Sequence, residues 1–174
     1  MAEAAFERHF TATGYVIAGG RTLLLWHAKL KMWLPPGGHC EPNEDPVEAA
    51  LREIEEESGL IVAVILPPDL LQLGEEGHPL VLPAPAVILV EDIVRGDQPF
   101  HQHIDHVYYT RAIAAVDFGA PIPHGAHRWV TAGELTSAFS LPSPDGTLVP
   151  VAEDVRLLGV RALAAAAASE PGNA

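Results

Sequence analysis

Cysteine is almost missing from this chain: Cys40 is the only one in 174 residues. Its solitude excludes an internal disulfide, a four-cysteine metal site and a C-x-x-C redox motif. Basic residues are scarce too, with 10 Lys and Arg against 23 Asp and Glu, a formal net charge of -13 and a sequence pI near 4.9. Binding to duplex nucleic acid needs clustered cations that displace counterions from phosphates, so polyanionic duplexes are excluded as partners. A small phosphorylated ligand stays compatible, provided cations neutralise the meeting of two anions. No apolar run reaches the roughly 18 residues that cross a bilayer, so no membrane partner is expected. The N-terminal "MAEAAFERHF" lacks the basic and apolar regions of a secretory signal, and a cytoplasmic location is the expectation.

What is present is globular: 48% hydrophobic and 19% charged residues, of a length that suits one domain. That domain is expected over residues 1–170, with 171–174 as a frayed tail. "FTATGYVIAGGRTLLLWHA" reads as a hairpin, with strands Phe10–Ile17 and Arg21–Trp26 around Gly19 and Gly20. "MWLPPGG" is too rich in Pro and Gly for a central strand and reads as a short extended piece ending in a loop. A helix follows over Pro46–Ser58, with Asp45 as N-cap, Pro46 at the first position and Gly59 closing the end. Further strands are expected at Ile61–Leu66, at Val81–Val94 with a break near its prolines, at Ile104–Ala114 and at "HRWV". Thr131 and Glu134 form a capping-box pattern that starts a short helix in "TAGELTSAF". A final amphipathic helix spans about Pro150–Ala168. Mixed strands with a few helices predict an α/β or α+β sandwich.

The stretch "GGHCEPNEDPVEAALREIEEESGL", Gly37 to Leu60, carries eight acidic residues and a single arginine. On a helix turning about 100° per residue, Val47, Ala50, Leu51 and Ile54 share the arc that packs inward. Glu53, Glu56 and Glu57 fall in an adjoining arc, at the edge of the buried stripe. Arg52 lies four residues after Glu48 and four before Glu56 and can pair with either. One guanidinium cannot neutralise three clustered glutamates, and like charges at these spacings repel. The arrangement reads either as a solvated acidic face or as an oxygen-rich site for Mg²⁺ or Mn²⁺.

The frame of the segment bears on that choice. Gly38, five residues, Glu44, seven residues, then Arg52, Glu53, Ile54, Glu56, Glu57, Gly59 and Leu60 follows the pattern GX5EX7REUXEEXGU, with U apolar. The chain therefore resembles the Nudix hydrolase superfamily, MutT-like enzymes, and "WLPPGGHCEPNEDP" resembles the usual approach to that motif. The resemblance implies an α/β/α sandwich with a mixed central sheet and a loop-helix-loop motif. It implies metal-dependent pyrophosphohydrolysis of a nucleoside diphosphate linked to another moiety, such as a nucleoside triphosphate, with Mg²⁺ or Mn²⁺ as cofactor. Glu56 and Glu57 look like metal ligands, Gly38 offers a carbonyl, and Glu53 is a further ligand or the group that orients or deprotonates water. Arg52 would orient the glutamates and Glu44 would tether the loop. Nucleotide sensing without catalysis and isoprenoid diphosphate isomerisation also occur on this fold; the intact Glu53, Glu56 and Glu57 favour the enzyme, and Cys40 is poorly placed for the isomerase. The downstream proline, at its expected spacing, of relatives specific for ADP-ribose, the tyrosine of those for diadenosine polyphosphates and the SQPWPxPxS of those for NADH are not seen.

A second constellation is "HQHIDHVYY", where strand alternation puts His101, His103 and Asp105 on one face and Gln102, Ile104 and His106 on the other. Either this is an exposed face with scattered histidines, or it lines the cleft, with His101 and His103 on substrate phosphates and Asp105 as a further carboxylate. Glu91 and Asp92 compete for that last role. Trp26, Trp33 and Trp129 either stack on a base or fill core. Cys40 reads as an inert thiol, and His27, His39, His78, His124 and His127 have no spacing that favours zinc. The partner expected is a small nucleotide-type molecule; a homodimer is left open.

Overall fold

The computed structural model describes residues 6–67, 69–71, 79–94 and 99–169. Two 12-residue strands, β1 (Glu7–Ala18) and β7 (His101–Ala112), lie side by side in parallel and form the centre of a mixed sheet. The other strands are β2 (Arg21–His27), β3 (Met32–Leu34), β4 (Gly37–His39), β5 (Val62–Val64), β6 (Val87–Ile93) and β8 (His127–Thr131). Each is antiparallel to its neighbour, in the order β3-β2-β1-β7-β5, with β4 on β1, β6 on β7 and β8 on β2. β1 and β7 are long enough to pair with different partners at their two ends. One face of the sheet, through alternate residues of β1, β6 and β7, forms the floor of the cleft.

Alternation along β1 decides what each face meets. Ala12 and Val16 turn to the helix α1 (Pro46–Ser58), where Ala12 packs with Ala49, Ala50 and Tyr108 and Val16 with Ile54. Tyr15 and Ile17 turn the other way, to α2 (Ala132–Thr136) and α3 (Glu153–Ala168), and share a core with Leu135, Val155, Ala162 and Leu163. The result is a three-layer α/β/α arrangement of α+β character. Asp45 caps α1 by accepting from Val47 and Glu48 N–H, while Glu48 returns a carboxylate to the Asp45 N–H at 3.0 Å. This capping box draws Glu48 to the helix start, so the expected Glu48–Arg52 pair gives way to it. The helix ends at Gly59, in the left-handed conformation with φ 71°.

Other boundaries moved for identifiable reasons. The Val81–Val94 segment is strand only from Val87, because Pro83 and Pro85 offer no N–H to a ladder. β7 begins at His101 rather than Ile104, since its first residues pair with Glu7 to His9 of β1. The last helix starts at Glu153, after Ala152. A hairpin of β9 (Ser140–Pro142) and β10 (Leu148–Pro150) was not anticipated, although "SPDGT" is a turn signature: Asp145 accepts from Ser143 Oγ and Thr147 N–H there. The expected frayed tail at 171–174 lies outside the described residues.

Candidate active site

The two glycines of β4 join the acidic helix to the cleft. Around them the β1–β4 ladder bonds through Phe10 with Cys40 and Gly14 with Pro36, so Gly37 between those pairs turns its N–H away from β1. That N–H donates to Glu57 Oε2 at 3.2 Å. At Gly38 the approach is closer still: a Cβ built there would stand 2.2 Å from Glu53 Oε1. Only glycine leaves room for the Glu53 carboxylate against this strand.

Arg52 is the hub of the acidic side. Its Nε and Nη2 donate to the two oxygens of Glu44 at 2.8 and 2.9 Å, its Nη1 to Glu53 Oε1 at 2.8 Å and to Glu56 Oε2 at 3.4 Å, and its Nη2 also to the His39 carbonyl at 3.0 Å. The Arg52 hydrogen bond holds the Glu44 carboxyl below the usual carboxylate range. Glu44 also accepts from Glu41 N–H at 2.9 Å, which closes the loop before the helix. The three glutamates differ in shelter: Glu53 is 17% exposed, Glu57 24% and Glu56 63%. Burial pushes the Glu57 carboxyl up.

A histidine to which the sequence pattern gave no role completes this cluster. His124 Nδ1 lies 3.2 Å from Glu57 Oε1, its Nε2 lies 3.0 Å from the Trp26 carbonyl, and its backbone N–H donates to the Glu57 carbonyl at 2.9 Å. The Trp26 carbonyl can only accept, so Nε2 carries a proton and Nδ1 faces the carboxylate. A hydrogen bond between His124 and Glu57 then requires one further proton on the pair, as imidazolium or as carboxylic acid. The distance of 67 residues between the two explains why no local spacing shows it.

On the other side of Gly37–Gly38 opens a cleft of about 370 Å³, lined by Thr13, Lys29, His39, Glu91, His103 and Asp105 among others. Alternation on β7 places residues as the sequence suggests: His103 and Asp105 face the cleft, while His106 turns outward against Phe10 and the Thr11 carbonyl. Asp105 is 4% exposed and accepts from Thr11 and Thr13 Oγ1 at 3.0 and 3.1 Å. Burial pushes its carboxyl up despite those two donors. Glu91 lines the same cleft and is pushed up by burial and by the nearby Asp105 and Asp154 carboxylates. Asp92 does not compete, because it points away and accepts from Gln102 Nε2 at 2.8 Å. His101 does not line the cleft itself but stands at its rim, with its ring 5.2 Å from that of His103.

The tryptophans resolve as core. Trp33 is buried with Trp26 tilted against it at 5.5 Å, and Trp129 meets Phe118 edge-on at 5.2 Å; none of the three lines the cleft. Cys40 packs beside Ala12, Ala49 and Tyr108, and burial pushes its thiol up, away from reactivity.

Comparison with known proteins meets this geometry. The NUDIX domain pattern matches residues 7–151. A crystal structure of a NUDIX-family hydrolase from Clostridium perfringens is 30% identical, with a TM-score of 0.67, covering 91% of this chain and 98% of the other. A UDP-X diphosphatase shares the fold, at 16% identity and TM-score 0.51 over 97% of this chain and 67% of the other. The m7GpppN-mRNA hydrolase NUDT17 of Bos taurus is 59% identical over 29 residues, which is 17% of this chain and 10% of that protein's length.

Proposed function

The chain belongs to the NUDIX family of hydrolases, which act on phosphorus-containing anhydrides, and from that premise we propose that it is a Mg²⁺- or Mn²⁺-dependent pyrophosphohydrolase of a nucleoside triphosphate or related nucleotide. The observation that carries this reading is the contact of one glycine pair with both the glutamate cluster and the cleft. The donor set suits a hard divalent cation: Glu53, Glu56 and Glu57 offer carboxylate oxygens along one side of α1 beside Arg52 and His124, and the Gly38 carbonyl keeps a second lone pair. Glu56, Glu57 and Gly38 would hold the ion, with Glu53 beside them. Such an ion, when bound, neutralises phosphate oxygens and acidifies water.

The chain's own groups do the rest. Arg52 fixes the Glu53 carboxylate with a hydrogen bond of 2.8 Å, so Glu53 is the group that orients or deprotonates the attacking water. Glu44, through Arg52, locks the loop to the helix. Glu57 is positioned from two sides, by the Gly37 N–H and by the His124 ring 3.2 Å from its other oxygen. Asp105, locked by Thr11 and Thr13, presents a fixed carboxyl to the cleft, and His103 with His101 beside it meets phosphate oxygens.

A screen of nucleotide diphosphate derivatives with and without Mg²⁺ or Mn²⁺, reading both phosphate release and product identity, tests the reading. Metal-dependent cleavage between phosphorus atoms is the expected result; absence of cleavage across the panel would sink it. We also propose a homodimer, supported by the exposed row of Phe10 and Val90 across Ile104 on the outer face of β1, β7 and β6. Sedimentation of wild type and Val90→Glu tests it: a monomer in both excludes this interface.

A further inference from the structure

Beyond the glutamates, the molecule gathers imidazoles more closely than contact with substrate phosphate requires. His9 on β1 is paired in register with His103 on β7, and His101 lies two residues before it on the same face. One ring nitrogen from each of the three falls within 4.8 Å of the others. His39 on β4 packs against the same group, its ring 4.8 Å from that of His103 and 5.3 Å from that of His9.

The second nitrogen of two of these rings is already committed. His9 Nε2 lies 3.3 Å from the Glu7 carboxylate, and His101 Nδ1 lies 3.1 Å from the Pro99 carbonyl. Those oxygens accept, so each ring donates there, and the neutral imidazole then keeps its lone pair on His9 Nδ1 and on His101 Nε2. His9 Nδ1 is buried and takes no hydrogen bond. A ligating histidine characteristically gives its other N–H to a carboxylate or a carbonyl, which fixes the tautomer and the ring orientation.

We propose that His9, His101 and His103 form a binding site for a borderline transition-metal ion of the Zn²⁺ or Co²⁺ class at the rim of the cleft, separate from the glutamate cluster. Three imidazoles suit such ions and not Mg²⁺, whose preference is oxygen. Bonds of about 2.0 Å to a tetrahedral ion put ligand atoms about 3.3 Å apart, so the side chains close by about an ångström or more on binding. An ion there pins the start of β1 to the start of β7. It also adds positive charge at a cleft whose lining carries Glu91, Asp105 and Asp154 beside Lys29. Phosphate reaching the rim then meets the ion in place of bare imidazoles.

The test is calorimetric titration of Zn²⁺ into the full chain in excess Mg²⁺, so that the glutamates are occupied. A single Zn²⁺ per chain is expected, retained in Glu56→Gln. In His9→Gln/His101→Gln the affinity should fall by more than the ~10–100-fold that loss of an outer partner costs. Co²⁺ bound to wild type under the same conditions should show the intense visible bands of a low-coordinate, nitrogen-ligated ion; this measurement needs no variant to fold. No Zn²⁺ binding in excess Mg²⁺, equal affinity in the histidine variant, or a Co²⁺ spectrum of octahedral oxygen ligation would overturn the proposal. Glu56→Gln separates this site from the hydrolase reading: an inactive variant that keeps Zn²⁺ supports both, and an active one that keeps Zn²⁺ supports this site alone.

Discussion

The polar groups on the two sides of Gly37–Gly38 are assembled in opposite ways. On the helix side, Glu44, Arg52, Glu53, Glu56 and Glu57 come from one loop and one 13-residue helix, and a single guanidinium bonds three of the carboxylates, those of Glu44, Glu53 and Glu56. On the cleft side, Asp105 is held by Thr11 and Thr13, partners 94 and 92 residues away, and His103 meets His9 only through the parallel β1–β7 register. On the helix side Arg52 holds the Glu44 carboxyl below its usual range, whereas on the cleft side burial lifts the carboxyls of Glu91 and Asp105. The site thus divides its labour between a local electrostatic device and a long-range packing device.

The largest expected effect breaks the helix side. Glu57→Gln should lower turnover at least a hundredfold, about 2.7 kcal/mol of barrier, because it removes the proposed ligand anchored by Gly37 and His124. Calorimetric titration of Mg²⁺ or Mn²⁺ into both proteins checks the cause, and equal affinities would remove Glu57 from the ligand set.

The glycine pair sharpens the comparison, because its two members should fail differently. A Cβ at Gly38 meets only the end of the Glu53 side chain, whereas one at Gly37 stands 2.7 Å from the Ala12 carbonyl oxygen and 2.9 Å from Thr13 Cα. Gly38→Ala should therefore cost tenfold or more in turnover, about 1.4 kcal/mol, with little change in melting temperature. Gly37→Ala should lower the melting temperature itself, since backbone must move. Thermal melts beside steady-state kinetics separate the two, and a Gly38→Ala protein with normal turnover would dissociate Glu53 from the chemistry.

The same division explains what could be read from the sequence. Helical periodicity carries the acidic arc directly, since three- and four-residue spacings on α1 become neighbours whatever the rest of the chain does. Period two on β7 separates Asp105 from His106 correctly, because alternation is likewise local. His124, His9 and Thr11 had no local signal; their roles arise from pairing between strands and from a loop that folds back on Glu57. Only a decision that β1 and β7 run parallel, in this register, would have put His9 opposite His103. The Glu48–Arg52 pair fails for a related reason: the D-x-x-E capping box is as local as the i,i+4 pair and claims the same carboxylate.

On the cleft side, Asp105→Asn should cut turnover about tenfold, or about 1.4 kcal/mol, while His106→Gln on the outer face should not. The pH dependence of stability gives the cleaner contrast. A buried carboxyl with a raised folded-state pKa penalises the native state as pH climbs above the usual carboxylate range, so Glu91→Gln should raise the apo melting temperature at neutral pH and lose that advantage near pH 4. Glu44 has the opposite sign: its lowered carboxyl stabilises the native state above the usual range and is lost on acidification, so Glu44→Gln should be harmful at neutral pH and harmless in acid. Melting curves across pH check both signs, and parallel curves for the two variants would erase the distinction between the two sides.

The smallest expected effect concerns Glu56 in the metal-free protein. Its carboxylate is 63% exposed and sits 3.4 Å from an arginine that Glu44 and Glu53 already engage. An exposed i,i+4 pair contributes about 0.3–0.5 kcal/mol, and relief of repulsion from Glu53 and Glu57 returns a similar few tenths. The two nearly cancel, so Glu56→Gln should shift the apo melting temperature by less than about 2 °C. Metal reveals the difference: wild type should gain about 2.7 kcal/mol at a metal concentration a hundred times its dissociation constant, by mass action on the native state. Glu56→Gln at that same concentration should gain measurably less. Melting curves of both proteins with and without Mg²⁺ read both quantities, and a large apo loss in Glu56→Gln would mean that its work is to brace Arg52 rather than to hold an ion.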